Sequence, residues 1–106
     1  MYKMGDYSNC RCDVAEIVYE NGEYVCTVLQ EDVEELIKII NENEQMKYGK
    51  YGDKVEMGDY TNCYYEIAEI VYEDDECDVV CTVATSEVDD VIEILKENAE
   101  LKRKLN

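Results

Sequence analysis

Histidine is absent from the chain, as are proline, tryptophan and phenylalanine. Without histidine, neither a Ser–His nor a Cys–His pair can activate a nucleophile. Zinc would have to be held without imidazole. No glycine-rich phosphate loop occurs, and no pattern places paired carboxylates in a pocket that would tune them for acid–base work. The expectation is a protein that is not an enzyme and holds no cofactor.

Basic residues are scarce: 10 Lys and Arg stand against 27 Asp and Glu, a formal net charge of −17. Such a field repels nucleic acid and anionic membranes and attracts basic partners. No apolar run approaches the ~18 residues of a membrane span. The opening MYKMGDYSNC has no apolar signal segment. A cytoplasmic setting follows, in which the six cysteines are expected to be reduced thiols.

Hydrophobic residues nevertheless make up 46% of the 106 residues, enough for a packed core. The aromatic content is entirely tyrosine, ten residues, which suits half-buried positions and interfaces.

An internal duplication dominates the rest. Met4–Glu20 aligns without gaps with Met57–Glu73, sharing GDY, NC and AEIVYE. CTV then recurs at 26–28 and 81–83, and Val33, Ile37, Ile39, Glu42 and Asn43 match Val88, Ile92, Ile94, Glu97 and Asn98. Each copy reads strand, strand, helix. This predicts an α+β fold: a tandem ββα duplication, a four-stranded antiparallel sheet with two helices packed on one face, related by a pseudo-twofold. Residues 1–43 form the first repeat, 44–56 a linker, and 57–106 the second repeat with an extended C-terminal helix, all in one compact domain.

Asn21-Gly22 predicts a two-residue type I′ hairpin turn. That register pairs Tyr19 with Tyr24, Val18 with Val25 and Ile17 with Cys26. Ala15, Ile17, Tyr19, Tyr24, Cys26 and Val28 then face the core, and Val14, Glu16, Val18, Val25, Thr27 and Leu29 form a second face open to a partner. In the second copy Ile70 pairs with Cys81 and Tyr72 with Val79, leaving an exposed acidic loop over residues 73–78. Helical spacing puts Val33, Leu36, Ile37 and Ile40 on one stripe, and Val88, Val91, Ile92, Leu95 and Ala99 on another. Thr85 or Ser86 is placed to cap the second helix. Val91, Ile94, Asn98, Leu101 and Leu105 also fall at coiled-coil spacing, with Asn98 in the register-setting position.

Cysteines split into repeated Cys10/Cys63 and Cys26/Cys81, and single Cys12 and Cys77. Cys10 and Cys26 lie ~23 Å apart along an extended strand, too far for a disulfide. A Cys10–Cys63 bond between copies stays open. CRC and CDVVC lack zinc-ribbon spacing, and EDDECDVVCTVA lacks the central Gly and closing Glu of a calcium loop. No metal is expected. GDYSNC and GDYTNC read as tight bends, with Asp6 and Asn9 in Asx turns and Tyr7 under the sheet edge. The functional reading of the same phrase is a polar site of Asp6, Tyr7 and Asn9, repeated at Asp59, Tyr60 and Asn62.

From Val55 to Leu95 there are 13 carboxylates and no base. The function expected is an acidic binding or inhibitor protein that mimics nucleic acid and blocks a basic nucleic-acid-binding enzyme. In size and charge the chain resembles the small phage inhibitors of CRISPR effectors and restriction enzymes. The expected partner-binding residues are Glu66, Glu69, Glu73, Asp74, Asp75, Glu76, Asp78, Glu87, Asp89, Asp90 and Glu93. The partner is a basic protein, not nucleic acid itself and not a membrane. The alternative is a small homodimeric structural or adaptor protein, dimerising through Val91, Ile94, Asn98, Leu101 and Leu105.

Overall fold

A computed structural model describes residues 2–105, apart from the side chains of Tyr51, Asp75, Glu76, Cys77 and Leu105. The chain runs β1 (Tyr2–Tyr19), β2 (Tyr24–Leu29), α1 (Val33–Tyr48), β3 (Val55–Tyr72), β4 (Asp75–Ala84) and α2 (Val88–Leu105), with a short 3-10 turn before each helix. The four strands are antiparallel, and their order β1-β2-β4-β3 closes into a small barrel. The α+β class is as expected, but the sheet is a barrel and not an open layer.

The long strands make this possible. β1 and β3 pair along almost their whole length, from Tyr2 opposite Tyr72 to Tyr19 opposite Val55. The shared phrase lies inside these strands and is not a bend before them. Gly5 and Asp6 together oppose Glu69, and Gly58 and Asp59 together oppose Glu16. Two residues facing one make a β-bulge, which bends the strand and increases its twist. That bending is what a narrow barrel needs. Space favours glycine here: a Cβ on Gly5 would lie 3.0 Å from Val71 Cγ1, and one on Gly58 3.2 Å from Val18 Cγ1, so each valine would have to give way.

The pairings interchange when one copy is exchanged for the other. Met4 faces Ile70 while Met57 faces Ile17, and Arg11 faces Tyr64, its own counterpart. β2 and β4 meet at one pair, Val28 with its counterpart Val83. Two side chains complete that closure. Asp32 accepts a hydrogen bond from the Thr82 amide (2.9 Å), and Glu87 accepts one from the Thr27 amide (3.3 Å). Each carboxylate, from one copy, satisfies an amide on the other copy's edge strand, where few ladder partners exist.

Ile17 with Cys26 and Ile70 with Cys81 pair as expected. The hairpin ends differ. No non-glycine residue among those described has positive φ, so Asn21 is outside the conformation a type I′ turn demands. Instead the Gly22 amide donates to Tyr19 O, the Tyr19 amide donates to Glu23 O, and Gly22 alone takes φ 95°. This is a three-residue loop with glycine in the left-handed position. Val18 therefore pairs with Tyr24, and Val25 is bulged out. The bulge moves Tyr24 to the other face, where it is exposed and not in the core. In the second copy Tyr72 pairs with Asp75 across a turn at Glu73 and Asp74, so the acidic stretch is mostly strand and not a six-residue loop.

Ala15, Ile17, Cys26, Val28, Ala68, Ile70, Cys81 and Val83 pack with Val33, Leu36, Ile40, Val88, Val91 and Leu95 in one core. Each large aliphatic side chain buried this way contributes about 1.5–3 kcal/mol. The second sheet face is only partly open: Val14 and Thr27 are buried, with Tyr24 and Glu87 over Thr27, while Glu16, Val18, Val25 and Leu29 are half-buried. Asn98, not Ala99, continues the buried stripe of α2. Neither expected cap forms as such: the Thr85 hydroxyl is buried without a partner, and Ser86 donates to Glu87. Helix α1 runs to Tyr48, into the stretch read as linker, and Val55 already begins β3.

Candidate interaction surface

Between its two bulges the β1–β3 ribbon alternates regularly. Tyr7, Asn9, Arg11 and Asp13 point to one side of β1, and Tyr60, Asn62, Tyr64 and Glu66 to the same side of β3. All eight are exposed, and of the three tyrosines Tyr64 most of all at 72%. The Tyr7 hydroxyl donates to Glu66 (2.8 Å) and the Tyr60 hydroxyl to Asp13 (3.1 Å). Tyr7 aligns with Tyr60 and Asp13 with Glu66, so the tyrosine of each copy reaches the acid of the other. Arg11 donates to Asn62 (2.8 Å) and lies 6.0 Å from the Tyr64 ring, and Asn62 donates to Asp13. Proximity to the carboxylates holds both phenols above their ordinary pKa, through the hydrogen bond to Glu66 at Tyr7 and to Asp13 at Tyr60.

This patch explains half of the repeated phrase. Its glycine and aspartate make the bulge, while its tyrosine and asparagine stand on an exposed face. Tyr7 is not under a sheet edge, and Asp6 and Asn9 lie in strand and not in Asx turns. An open groove of about 650 Å³ adjoins it, lined by Asp13, Leu29, Glu31, Glu34 and Met57 among others. Sequence reading passed over Asp13, Glu31 and Glu34. The alignment of Asp13 with Glu66 was the available clue.

The residues expected to bind a partner divide. Glu66, Glu73, Asp74, Asp78, Asp89, Asp90 and Glu93 are exposed, and Glu69 is half-buried. None of them has an ion-pair partner among the described residues. The side chains of Asp75 and Glu76 lie outside the described residues. Continuity in sequence is not continuity in space. Glu73 and Asp74 form the β3–β4 turn, whereas Asp89, Asp90 and Glu93 follow the far end of the ten-residue β4, roughly 30 Å along an extended strand.

Glu87 does not belong to that surface. It is 9% exposed, and its carboxylate accepts from the Tyr24 hydroxyl, the Thr27 amide and the Ser86 hydroxyl. Burial and this carboxylate push the Tyr24 phenol strongly up in pKa. An acid at the start of a helix reads as surface charge in sequence, and only the neighbouring strand reveals its partners.

The coiled-coil seam is also used inside the chain. Val91 is 1% exposed and Asn98 7%, while Ile94 and Leu101 are half-buried and the Leu105 side chain lies outside the described residues. Asn98 donates to Glu42 (3.2 Å) and Asn43 donates to Glu97 (2.7 Å). Lys102 pairs with Glu42 at 2.8 Å and Lys47 with Glu97 at 3.2 Å. The two helices thus meet through reciprocal Asn–Glu–Lys contacts, which engage Asn98 of that seam within the chain.

Cys10, Cys12, Cys26, Cys63 and Cys81 are free thiols, and no group of three or more Cys, Asp or Glu among the described residues is arranged to hold a metal ion. The Cys77 side chain lies outside those described. Burial pushes the Cys26 and Cys81 thiols up to about 12. Among the described residues no helix is long and apolar enough to cross a membrane. Comparison of the chain with family models, with curated proteins and with solved structures finds no match.

Proposed function

We propose that this is an acidic binding protein which imitates nucleic acid and blocks a basic nucleic-acid-binding enzyme, in the manner of phage inhibitors of CRISPR effectors or restriction enzymes. It acts in the cytoplasm, without catalysis of its own. The framework of the proposal is a tandem ββα duplication whose helices cover one face of the strands and leave the ribbon free.

The observation that carries it is the combination of exposed carboxylates without an ion-pair partner among the described residues with a hydrogen-bonded tyrosine ribbon. One strand of duplex carries a phosphate per ~3.4 Å, so ~30 Å of groove expects roughly nine negative charges. Eight of the expected acids are exposed or half-exposed, and they spread over a comparable length. Tyr7, Tyr60 and Tyr64 supply ring faces of the kind on which basic proteins stack bases.

The test is immobilisation of the protein and passage of a bacterial lysate at low salt. The proteins expected to elute are nucleic-acid enzymes, released between about 50 and 200 mM salt and inhibited in nucleic-acid binding by the free chain. The triple variant Asp89→Asn, Asp90→Asn, Glu93→Gln should weaken capture roughly 3- to 150-fold, since each lost contact to a cation is worth ~0.2–1 kcal/mol and three add. Capture indifferent to salt and to this variant would refute the proposal.

A further inference from the structure

The five described thiols fall into two populations. Cys26 and Cys81 are buried in the core, where burial raises their pKa to about 12 and keeps them inert. Cys10, Cys12 and Cys63 are half-exposed on the ribbon, on the side opposite the tyrosine patch. Cys12 stands directly opposite Cys63 in the antiparallel ladder, and Cys10 stands opposite Tyr65. Directly opposed residues have Cα atoms roughly 4.5–5.5 Å apart, inside the ~4.4–6.8 Å span of a disulfide. The diagonal pair Cys10–Cys63 is roughly 7–8 Å apart, beyond it. The register therefore selects a different pair from the one that repeats in sequence.

We propose that Cys12 and Cys63 form a reversible disulfide that locks β1 to β3 across the middle of the ribbon. The oxidant is a small-molecule disulfide. The Cys63 thiolate attacks one of its sulfurs, forming a mixed disulfide and expelling one small thiolate. The Cys12 thiolate then attacks the Cys63 sulfur of that mixed disulfide, forming the protein bond and expelling the second. The two protons lost by the cysteines go to the two leaving thiolates, and the oxidant has taken both electrons. Cys10, on the same side of β1 and two residues from Cys12, is left as a thiol beside the bond. This inference stands independently of the partner proposed above.

The folded protein is to be incubated with oxidised glutathione, its remaining thiols alkylated under denaturing conditions, and the product cut with trypsin and a glutamate-specific protease, since trypsin alone leaves Cys26 with Cys12, and Cys77 and Cys81 with Cys63. Arg11 separates Cys10 from Cys12, so the two fall on different peptides. The expected product links the Cys12 peptide to the Cys63 peptide. It should form equally in Cys10→Ser, vanish in Cys12→Ser, and raise the melting temperature by about 10 °C or more, because it closes a long loop. The gain should disappear on addition of a dithiol reductant. Linkage of Cys63 to Cys10, linkage involving Cys26 or Cys81, or no linkage at all would overturn the proposal.

Discussion

Replacing Glu87 by alanine separates a structural carboxylate from a surface one. Glu87 takes donors from Tyr24, Thr27 and Ser86, and the Thr27 amide belongs to a residue only 5% exposed. In Glu87→Ala the two hydroxyls can turn to water, but the Thr27 amide cannot. A buried donor left unpaired costs about 1–3 kcal/mol. Relief from burying a carboxylate offsets part of this, and the lost packing of its methylenes restores it. The net expectation is a loss of about 2 kcal/mol, or roughly 8 °C in melting temperature for a domain of this size. Glu87→Gln keeps an oxygen for Thr27 and should lose less than about 1 kcal/mol. Glu66→Ala, on the exposed ribbon, should fall within about 0.5 kcal/mol of the parent. Urea unfolding with unchanged slope is the assay. If Glu87→Ala unfolded at the same urea concentration as Glu66→Ala, the barrel closure described here would be wrong.

The pH dependence of stability has two opposed parts. Lys102 and Asn98 hold Glu42 below its ordinary pKa, and Asn43 and Lys47 do the same for Glu97. A depressed folded value means stabilisation present above the unfolded value near 4.3 and lost as pH falls through the folded one. Both side chains are more than a third exposed, so Glu42→Gln with Glu97→Gln should remove only a few tenths of a kcal/mol each, flattening the acid limb of a urea-midpoint titration. Burial raises Asp32 despite its bond to the Thr82 amide. The raised value makes its contribution greatest at low pH and lost as pH rises through the folded pKa, so Asp32→Asn should be at least as stable as the parent at pH 7 in the same titration. Gly5→Ala should cost about 1–3 kcal/mol in urea unfolding, since the new Cβ crowds Val71, whereas Ser8→Ala beside it should be neutral. A double-mutant cycle of Asn98→Ala with Glu42→Ala in dilute protein should show coupling independent of concentration, because the contact lies within one chain.

What sequence could reveal followed from how local each contact is. The Ile17–Cys26 and Ile70–Cys81 pairs were legible because alternation within one hairpin determines them. The turn was not, since Asn-Gly favours two turn geometries and the Val25 bulge chooses between them. GDY read as a bend because glycine and aspartate are turn residues; only the partner strand shows that Gly5 and Asp6 together face Glu69. Glu66, Glu73, Asp74, Asp78, Asp89, Asp90 and Glu93 were legible as exposed charge, but Glu87 was not, because its partners are 60 and 63 residues away. The helix contacts left a faint trace: Glu42, Asn43 and Lys47 recur as Glu97, Asn98 and Lys102, a polar triplet kept on a helix face where solvent alone would not require it.

Where the copies differ is as informative as where they agree. Along the ribbon, most residues of one copy face a different residue of the other, so an unchanged phrase such as GDY and NC works in both. The middle is the exception, because there Arg11 faces its own counterpart, Tyr64. Two identical chains meeting this way would place arginine against arginine, and like charges directly opposite destabilise a ladder. A fused duplication escapes that constraint. With tyrosine in the second copy, Arg11 lies 6.0 Å from a ring and also reaches Asn62. The next position changed as well, from Cys12 to Tyr65, which leaves three thiols and not four at the centre. The difference between residues 11–12 and 64–65 thus lets the register set Arg11 against a tyrosine, which identical residues at 11 and 64 would not allow. The reversal is testable at this position: Tyr64→Arg should restore the like-charge contact and lower stability, by an amount that shrinks as salt is added, and Arg11→Tyr should not.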